Sequence, residues 1–250
     1  MHIVFFVCAL ASIAAVVLIC LFLFANGIPA MKEIGLLNFL TGAKWKPGND
    51  IYGILPMILG SIYITAGAVV IGVPVGLLTA IFMAFYCPKK LYGLLKPCTE
   101  LLAGIPSIVY GFFGMVVIVP CIRTVAALFG ADISGSSILA ASVLLGIMIL
   151  PTVVSLSRTS LEAVPRSYYE GSVAMGATHS ETVFRIMSPA ARSGITASLI
   201  LGIGRALGET MAVVMVAGNA PAYPSGLFSS FRVLTANIVM EMGYAGEVQE

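Results

Sequence analysis

Three runs without a single charged residue, 3–25, 54–86 and 136–156, set the first limit on what this chain can become. A helix needs about 20 apolar residues to cross a hydrocarbon core about 30 Å thick, and each run meets that length. Two further apolar runs, 99–122 and 195–217, carry only Glu100 in the first and Arg205 and Glu209 in the second. With 59% of its 250 residues hydrophobic and 10% charged, the chain could not cover such runs with polar surface in water. The ten-residue alternation of a membrane barrel is absent from the sequence. The expected fold class is an all-α membrane protein with these five spans.

The expected division is an N-terminal transmembrane helix at 1–26, an extracytoplasmic loop at 27–53 and a helical core at 54–250. The first run begins almost at Met1, yet it lacks a basic leader and is longer than the apolar part of a usual signal peptide, so it reads as a retained anchor. Orientation follows from the cations. The loops around 87–98 and 157–194 hold Lys89, Lys90, Lys96, Arg158, Arg166, Arg185 and Arg192, against Lys32, Lys44, Lys46, Arg123 and Arg232 on the other side. The excess places the amino terminus in the cytoplasm. Most acids, Glu33, Asp50, Asp132, Glu241, Glu247 and Glu250, then lie outside. In the outer loop, Trp45 and Tyr52 either rest at the membrane interface or pack the loop.

The second run is longer than one crossing and contains Pro56 and Pro74, which suggests an entry segment followed by a kinked or broken helix. Gly72 with Gly76, and Gly204 with Gly208, have the GxxxG spacing that lets helix backbones approach. The five cysteines (Cys8, Cys20, Cys87, Cys98 and Cys121) form no CxxC pair and read as small apolar residues. His2 and His179 have no companions at ligand spacing, so no metal site is expected.

The segment 163–191 is too apolar for a simple connector. Ser167 to Glu170 and Thr178 to Glu181 both have the S/T-x-x-E form of a capping box, Gly176 suits a left-handed helix end, and Pro189 should stop the second helix near Met187. These signals predict a helix-turn-helix whose Val173, Val183, Phe184, Ile186 and Met187 need cover, from the chain's own helix ends or from another protein.

This loop resembles the EAA loop of permease subunits of binding-protein-dependent ABC importers, E-A-A-x-x-x-G followed by nine residues and I-x-L-P. Glu170, Gly176, Ile186 and Pro189 stand at the defining positions, while Gly171 and Ser172 replace the alanines and Ser188 the leucine. In that family the loop docks on the ATP-hydrolysing subunit. The resemblance therefore implies that Glu170, Gly171, Ser172, Ala174, Gly176, Ala177, Ile186 and Pro189 form the docking surface.

Ionisable residues inside spans are costly, about 2.5–3.5 kcal/mol for Arg at a helix centre, so they need partners or a pathway. Arg205 and Glu209, four apart, can form an ion pair on one helix face. That pair either only neutralises itself or lets the Arg205 fork meet a passing anion, with Glu209 holding or gating it. Glu100 precedes LLAGIPS, where Pro106 suggests an opened helix, and belongs either to that pathway or to the lipid interface.

Four stretches in order, YGILPMILGSIYIT at 52–65, ELLAGIPSIVYGFFG at 100–114, IMILPTVVSLS at 147–157 and GIGRALGETMAVVMVAGN at 202–219, resemble the phosphate-specific permeases of that class. The resemblance implies a type I ABC importer permease (MetI-like) fold, a second permease, an ATPase dimer, a phosphate-binding protein and membrane lipid as partners, and half of a translocation pathway in the cell membrane. Members have six spans, so the sixth, after a stretch resembling 234–245, is expected to be missing here, as is a short basic amino-terminal tail.

No Gly-Lys pair occurs, so the chain has no P-loop, and ATP with magnesium is expected on a separate subunit. Gly202, Gly204 and Gly208 lie inside an apolar run and make no nucleotide fingerprint. A passive channel or an ion-coupled carrier using Arg205, Glu209 and Glu100 is the competing reading, and a permease for another oxyanion or solute is a third. An intramembrane enzyme would need a nucleophile or metal set at depth, and the only aspartates, Asp50 and Asp132, fall in outer loops.

Overall fold

The computed structural model describes residues 1–128, 130 and 133–243. Asp132, Glu247 and Glu250 lie outside the described residues, as does the Glu33 side chain. The chain divides into two compact units, 1–56 with 238–250, and 57–237.

In the first unit, α1 (His2–Ile34) is one unbroken helix, and none of its most apolar stretch is buried. Such a cylinder is stable only where lipid or another protein covers it. A short α2 (Leu36–Thr41) leads to a hairpin of two-residue strands, β1 (Trp45–Lys46) with β2 (Ile51–Tyr52). Trp45 and Tyr52 pair across the hairpin with rings edge to face at 5.8 Å, so of the two roles open to them the structure shows loop packing. Asp50, at φ 53°, turns the connection.

The second unit is organised around α7 (Ile138–Glu162). Its most apolar window is 67% buried, against 33% for the span that begins with α3 (Leu55–Ile81) and 22% for Ser107–Leu128, which makes α7 the central helix. Ser137 caps its start by accepting from the Ala140 amide. Leu144, Leu145, Met148 and Ile149 of α7 form the core with Ile64 and Ala68 of α3, Tyr110, Ala206, Val213, Val216 and Phe231.

Small residues bring the backbones together, as membrane packing requires. A methyl group placed at Gly72 would lie 2.7 Å from the Gly146 carbonyl oxygen, and one at Gly76 would lie 2.9 Å from Val153. That GxxxG pair is a packing seam. A methyl at Gly204 or Gly208 would meet nothing within 4 Å, so the second pair packs nothing among the described residues. The hydroxyls of Ser157 and Ser198, both buried, bond each other at 2.7 Å and tie α7 to α11 (Arg192–Gly208).

Among the described residues, four helices are long and apolar enough to cross a membrane: His2–Pro29, Leu55–Tyr86, Ser107–Leu128 and Ile138–Glu162. A fifth arises if His179–Ala190 and Arg192–Gly208, bent by 69°, count together. Three expectations change. The second span has no break: Pro56 falls in the first turn, where its missing N–H costs nothing, and the helix runs through Pro74 beside the Gly72–Gly76 seam. The third span does not begin at residue 99: α4 (Lys89–Gly104) ends before Ile105 and Pro106, both extended, and the crossing starts with α5 (Ser107–Phe113) and runs through a π-helical turn into α6 (Val119–Leu128). The run 195–217 is broken, as described below.

Candidate docking loop and polar helix break

The loop after α7 folds as α8 (Arg166–Ala174), a turn, and α9 (His179–Thr182), which passes through a π-helical turn at Val183–Met187 into α10 (Ser188–Ala190). Gly176 has the left-handed φ of +88° that its place at the helix end demanded. The second capping box forms in full: Glu181 accepts from the Thr178 amide at 3.0 Å, and the Glu181 amide donates to the Thr178 hydroxyl at 3.3 Å. The Thr178 amide, and after it the Thr178 hydroxyl, which donates to the same carboxylate oxygen at 2.8 Å, hold the Glu181 carboxyl below the usual glutamate range.

The first expected box does not form. Pro165 is the N-cap of α8, so Ser167 already lies inside the helix, and Glu170 pairs instead with Arg166 at 3.2 Å. Nor does Pro189 stop the second helix near Met187. The helix continues through the π-helical turn and past Pro189, and the chain bends only after Ala190.

The apolar residues of the loop divide between two partners. Val183 and Met187 are buried, Val183 in a cluster with Ala80, Ile81, Leu161 and Ala191 at the ends of the chain's own helices. Val173, Phe184 and Ile186 remain exposed. Ser172 departs from the family alanine usefully, since its hydroxyl bonds that of the buried Thr182 at 2.9 Å and joins α8 to α9. Gly171 has open space above it, so the absent methyl costs no contact. Ser188 turns inward and donates to the Val183 carbonyl at 2.9 Å within the π-turn, which takes it off the exposed face. Glu170, Gly171, Ala174, Gly176, Ile186 and Pro189 are exposed, with Ser172 and Ala177 half-buried.

A second anchor has no sequence signature. His179 bonds the Tyr169 hydroxyl through Nδ1 at 2.9 Å and meets the Tyr86 ring edge to face at 4.8 Å. The Tyr86 hydroxyl donates to Ser180 at 3.2 Å, fixing the loop to the end of the second span.

The polar break lies where α11 ends at Gly208. Glu209 is extended at φ −72°, ψ 130°, and α12 (Met211–Val216) begins two residues later. Arg205 and Glu209 therefore do not share a helix face, and no ion pair joins them. Glu209 accepts instead from the amides of Thr210 at 3.1 Å and Ala212 at 3.3 Å, capping α12. Its own carbonyl accepts from Thr235, in α13 (Leu234–Glu241), at 3.0 Å.

Arg205 is half-buried and reaches Thr152 of α7 at 3.4 Å, a long bond that engages one of its five donors. The Tyr110 hydroxyl donates to the Leu102 carbonyl across the Ile105–Pro106 break at 2.8 Å. Beside these groups α5 and α12 touch closely, a methyl on Gly111 standing 2.9 Å from the Ala212 Cα. Glu100 is exposed on α4 and makes no hydrogen bond or ion pair with Arg205 or Glu209. Thr152 was missed as a partner of Arg205, although it lies in one of the stretches that carry the family resemblance.

Residues 72–240 match the family described as binding-protein-dependent transport system inner membrane component. The protein of Bacillus subtilis described as "Probable ABC transporter permease protein YqgH" is 40% identical over 241 residues, covering 95% of this chain and 77% of that one. The phosphate transport system permease protein PstC of Mesorhizobium japonicum is 36% identical over 234 residues, covering 88% and 71%. Among solved structures, the inward-facing MetNI methionine ABC transporter matches with a TM-score of 0.53 at 21% identity, over 79% of this chain and 82% of that one, which speaks for the fold alone.

Proposed function

Because this chain belongs to the family of inner membrane components of binding-protein-dependent transport systems, we propose that it is the permease subunit of an ATP-driven importer of inorganic phosphate. It is a multi-pass membrane protein. The reading assigns it half of a translocation pathway, with a PstA-like second permease supplying the other half. A PstB-like ATPase dimer would bind ATP and magnesium, and a PstS-like protein would deliver phosphate from outside the cytoplasmic membrane. Catalysis is left to the ATPase.

The observation that carries the coupling role is the divided docking loop. One side is locked to the chain's own helix ends through Val183, His179 and Ser180, and the other leaves Val173, Phe184 and Ile186 uncovered. A face fixed behind and apolar in front suits a rigid contact with another protein. The proposed docking residues are Glu170, Gly171, Ser172, Ala174, Gly176, Ala177, Ile186 and Pro189.

Phosphate is supported by the names of relatives such as PstC of Mesorhizobium japonicum and by Arg205, a half-buried planar fork with donors to spare. Arg205 is proposed to touch the anion. Glu209 is proposed to shape the break beside it, and Glu100 to lie at the cytoplasmic edge of that route.

The test is uptake by the full complex in proteoliposomes, with labelled phosphate and sulfate in parallel. Phosphate uptake that needs ATP and both soluble partners is expected. Uptake that persists without the ATPase would make the chain a channel or carrier, and a preference for sulfate would reassign the anion.

A further inference from the structure

The helix α4 carries three parallel stripes at the spacings that place residues on one face, about 100° apart per residue. Tyr92, Leu95, Thr99 and Leu102 are half-buried. Arg158 of α7 holds this face, donating to the Tyr92 hydroxyl and lying over its ring at 5.5 Å. Leu91, Leu94, Cys98 and Leu101 form a second stripe that is apolar and exposed, Leu94 at 61% and Leu101 at 71%. Lys89, Gly93, Lys96 and Glu100 form the third, with Lys90 beside it, and all are exposed.

We propose that α4 lies along the cytoplasmic boundary of the bilayer, its leucine and cysteine stripe in the acyl region and its lysines on the headgroups of anionic phospholipids. The orientation rests on the importer reading, and the lipid contact goes beyond it. Connectivity confines the helix: extended residues at Cys87 and Pro88 follow the second span, and Ile105 and Pro106 precede the third, so both ends are tied to the same side. At 1.5 Å per residue the 16 residues reach about 24 Å, too short for a crossing.

The chemistry of the stripes selects lipid over protein. Protein hot spots are rich in Trp, Tyr and Arg and poor in Lys. The exposed faces of α4 hold none of the first three, while three lysines against one glutamate complement an anionic surface. Lysine stems also let the charge stay in water while the helix sinks.

Cys98, in the middle of the apolar stripe, is a native reporter. The full chain, with Cys8, Cys20, Cys87 and Cys121 changed to alanine, is labelled at Cys98 and placed in nanodiscs of phosphatidylcholine and phosphatidylglycerol. Bromine on the acyl chains should quench the label, and aqueous iodide should not. At equal mole fraction, brominated phosphatidylglycerol should be enriched at the label by at least about fivefold, the attraction of one lysine to an anionic surface.

The triple variant Lys89→Gln, Lys90→Gln, Lys96→Gln should lose that preference and keep the acyl quenching, which also shows that it has folded. Iodide access to Cys98, equal quenching by both lipids, or shielding that appears only when an ATPase subunit is added would each overturn the proposal. None of these readouts depends on transport, so failure of phosphate uptake would leave this result standing.

Discussion

The Glu209 carboxylate accepts from the Ala212 amide at 3.3 Å and so closes the start of α12 instead of neutralising Arg205. A break in a membrane helix frees backbone donors that have no water to turn to, and the side chain at the break satisfies two of them. Loss of such a cap costs about 1 kcal/mol. Glu209→Ala is therefore expected to lower the thermal stability of the purified subunit by that amount. Glu209→Gln, which keeps an acceptor oxygen, should lose less than half of it.

Freed from Glu209, the Arg205 guanidinium is held among the described residues by one long hydrogen bond, to Thr152. Arg205→Ala should abolish most phosphate uptake and leave the ATPase subunit bound, as read by tracer flux and by co-purification. Arg205→Lys keeps the charge and loses the planar fork, so an intermediate rate is expected. Unchanged flux in Arg205→Ala would make the residue structural.

Glu170 sits on the exposed face of the proposed docking loop, and its bond to Arg166 is a surface i,i+4 pair. Pairs of this kind are worth about 0.3–0.5 kcal/mol, too little to hold the loop together. Glu170→Lys should accordingly leave the chain folded and assembled with its second permease while transport uncouples from ATP hydrolysis. Measuring ATPase activity and uptake on the same proteoliposomes separates the two, and normal uptake would remove Glu170 from the docking role.

Glu181 gives the loop a pH dependence of known sign. Its carboxyl is held below the ordinary value of 4.5, chiefly by the Thr178 amide, so the charged form stabilises the folded loop. That contribution is fully present above the unfolded value and is lost as pH falls through the lower folded one. Hydrogen-exchange protection of the Glu181 amide should hold steady from neutral pH to about pH 5 and decline in stronger acid. Glu181→Gln should remove the decline.

The contrast between the two capping boxes shows what the sequence could convey. Both have the same four-residue form, and the difference is that Pro165 starts α8 early enough to place Ser167 inside the helix. Periodicity misplaced Glu209 for a related reason: it assumes an unbroken helix through Gly208, and a glycine followed by an acid and a threonine is a signal for an end and a new cap. Four apolar spans and the helix-turn-helix of the loop were legible because they rest on local pattern. Tyr86 against His179 was not, because the partners are far apart in the chain and neither side chain belongs to a periodic stripe.

Glycine spacing alone cannot tell a seam from an open face, and the two GxxxG pairs differ in the structure for that reason. An alanine methyl at Gly72 would stand 2.7 Å from the backbone oxygen of Gly146, and backbone cannot yield as a side-chain tip can. Overpacking of this kind costs about 1–3 kcal/mol. At Gly204 nothing lies within 4 Å, and alanine is the better helix former by about 1 kcal/mol. Gly72→Ala should thus lower the melting temperature of the isolated subunit, and Gly204→Ala should hold or raise it. Equal losses in both variants would mean that α11 packs its glycine face inside this subunit.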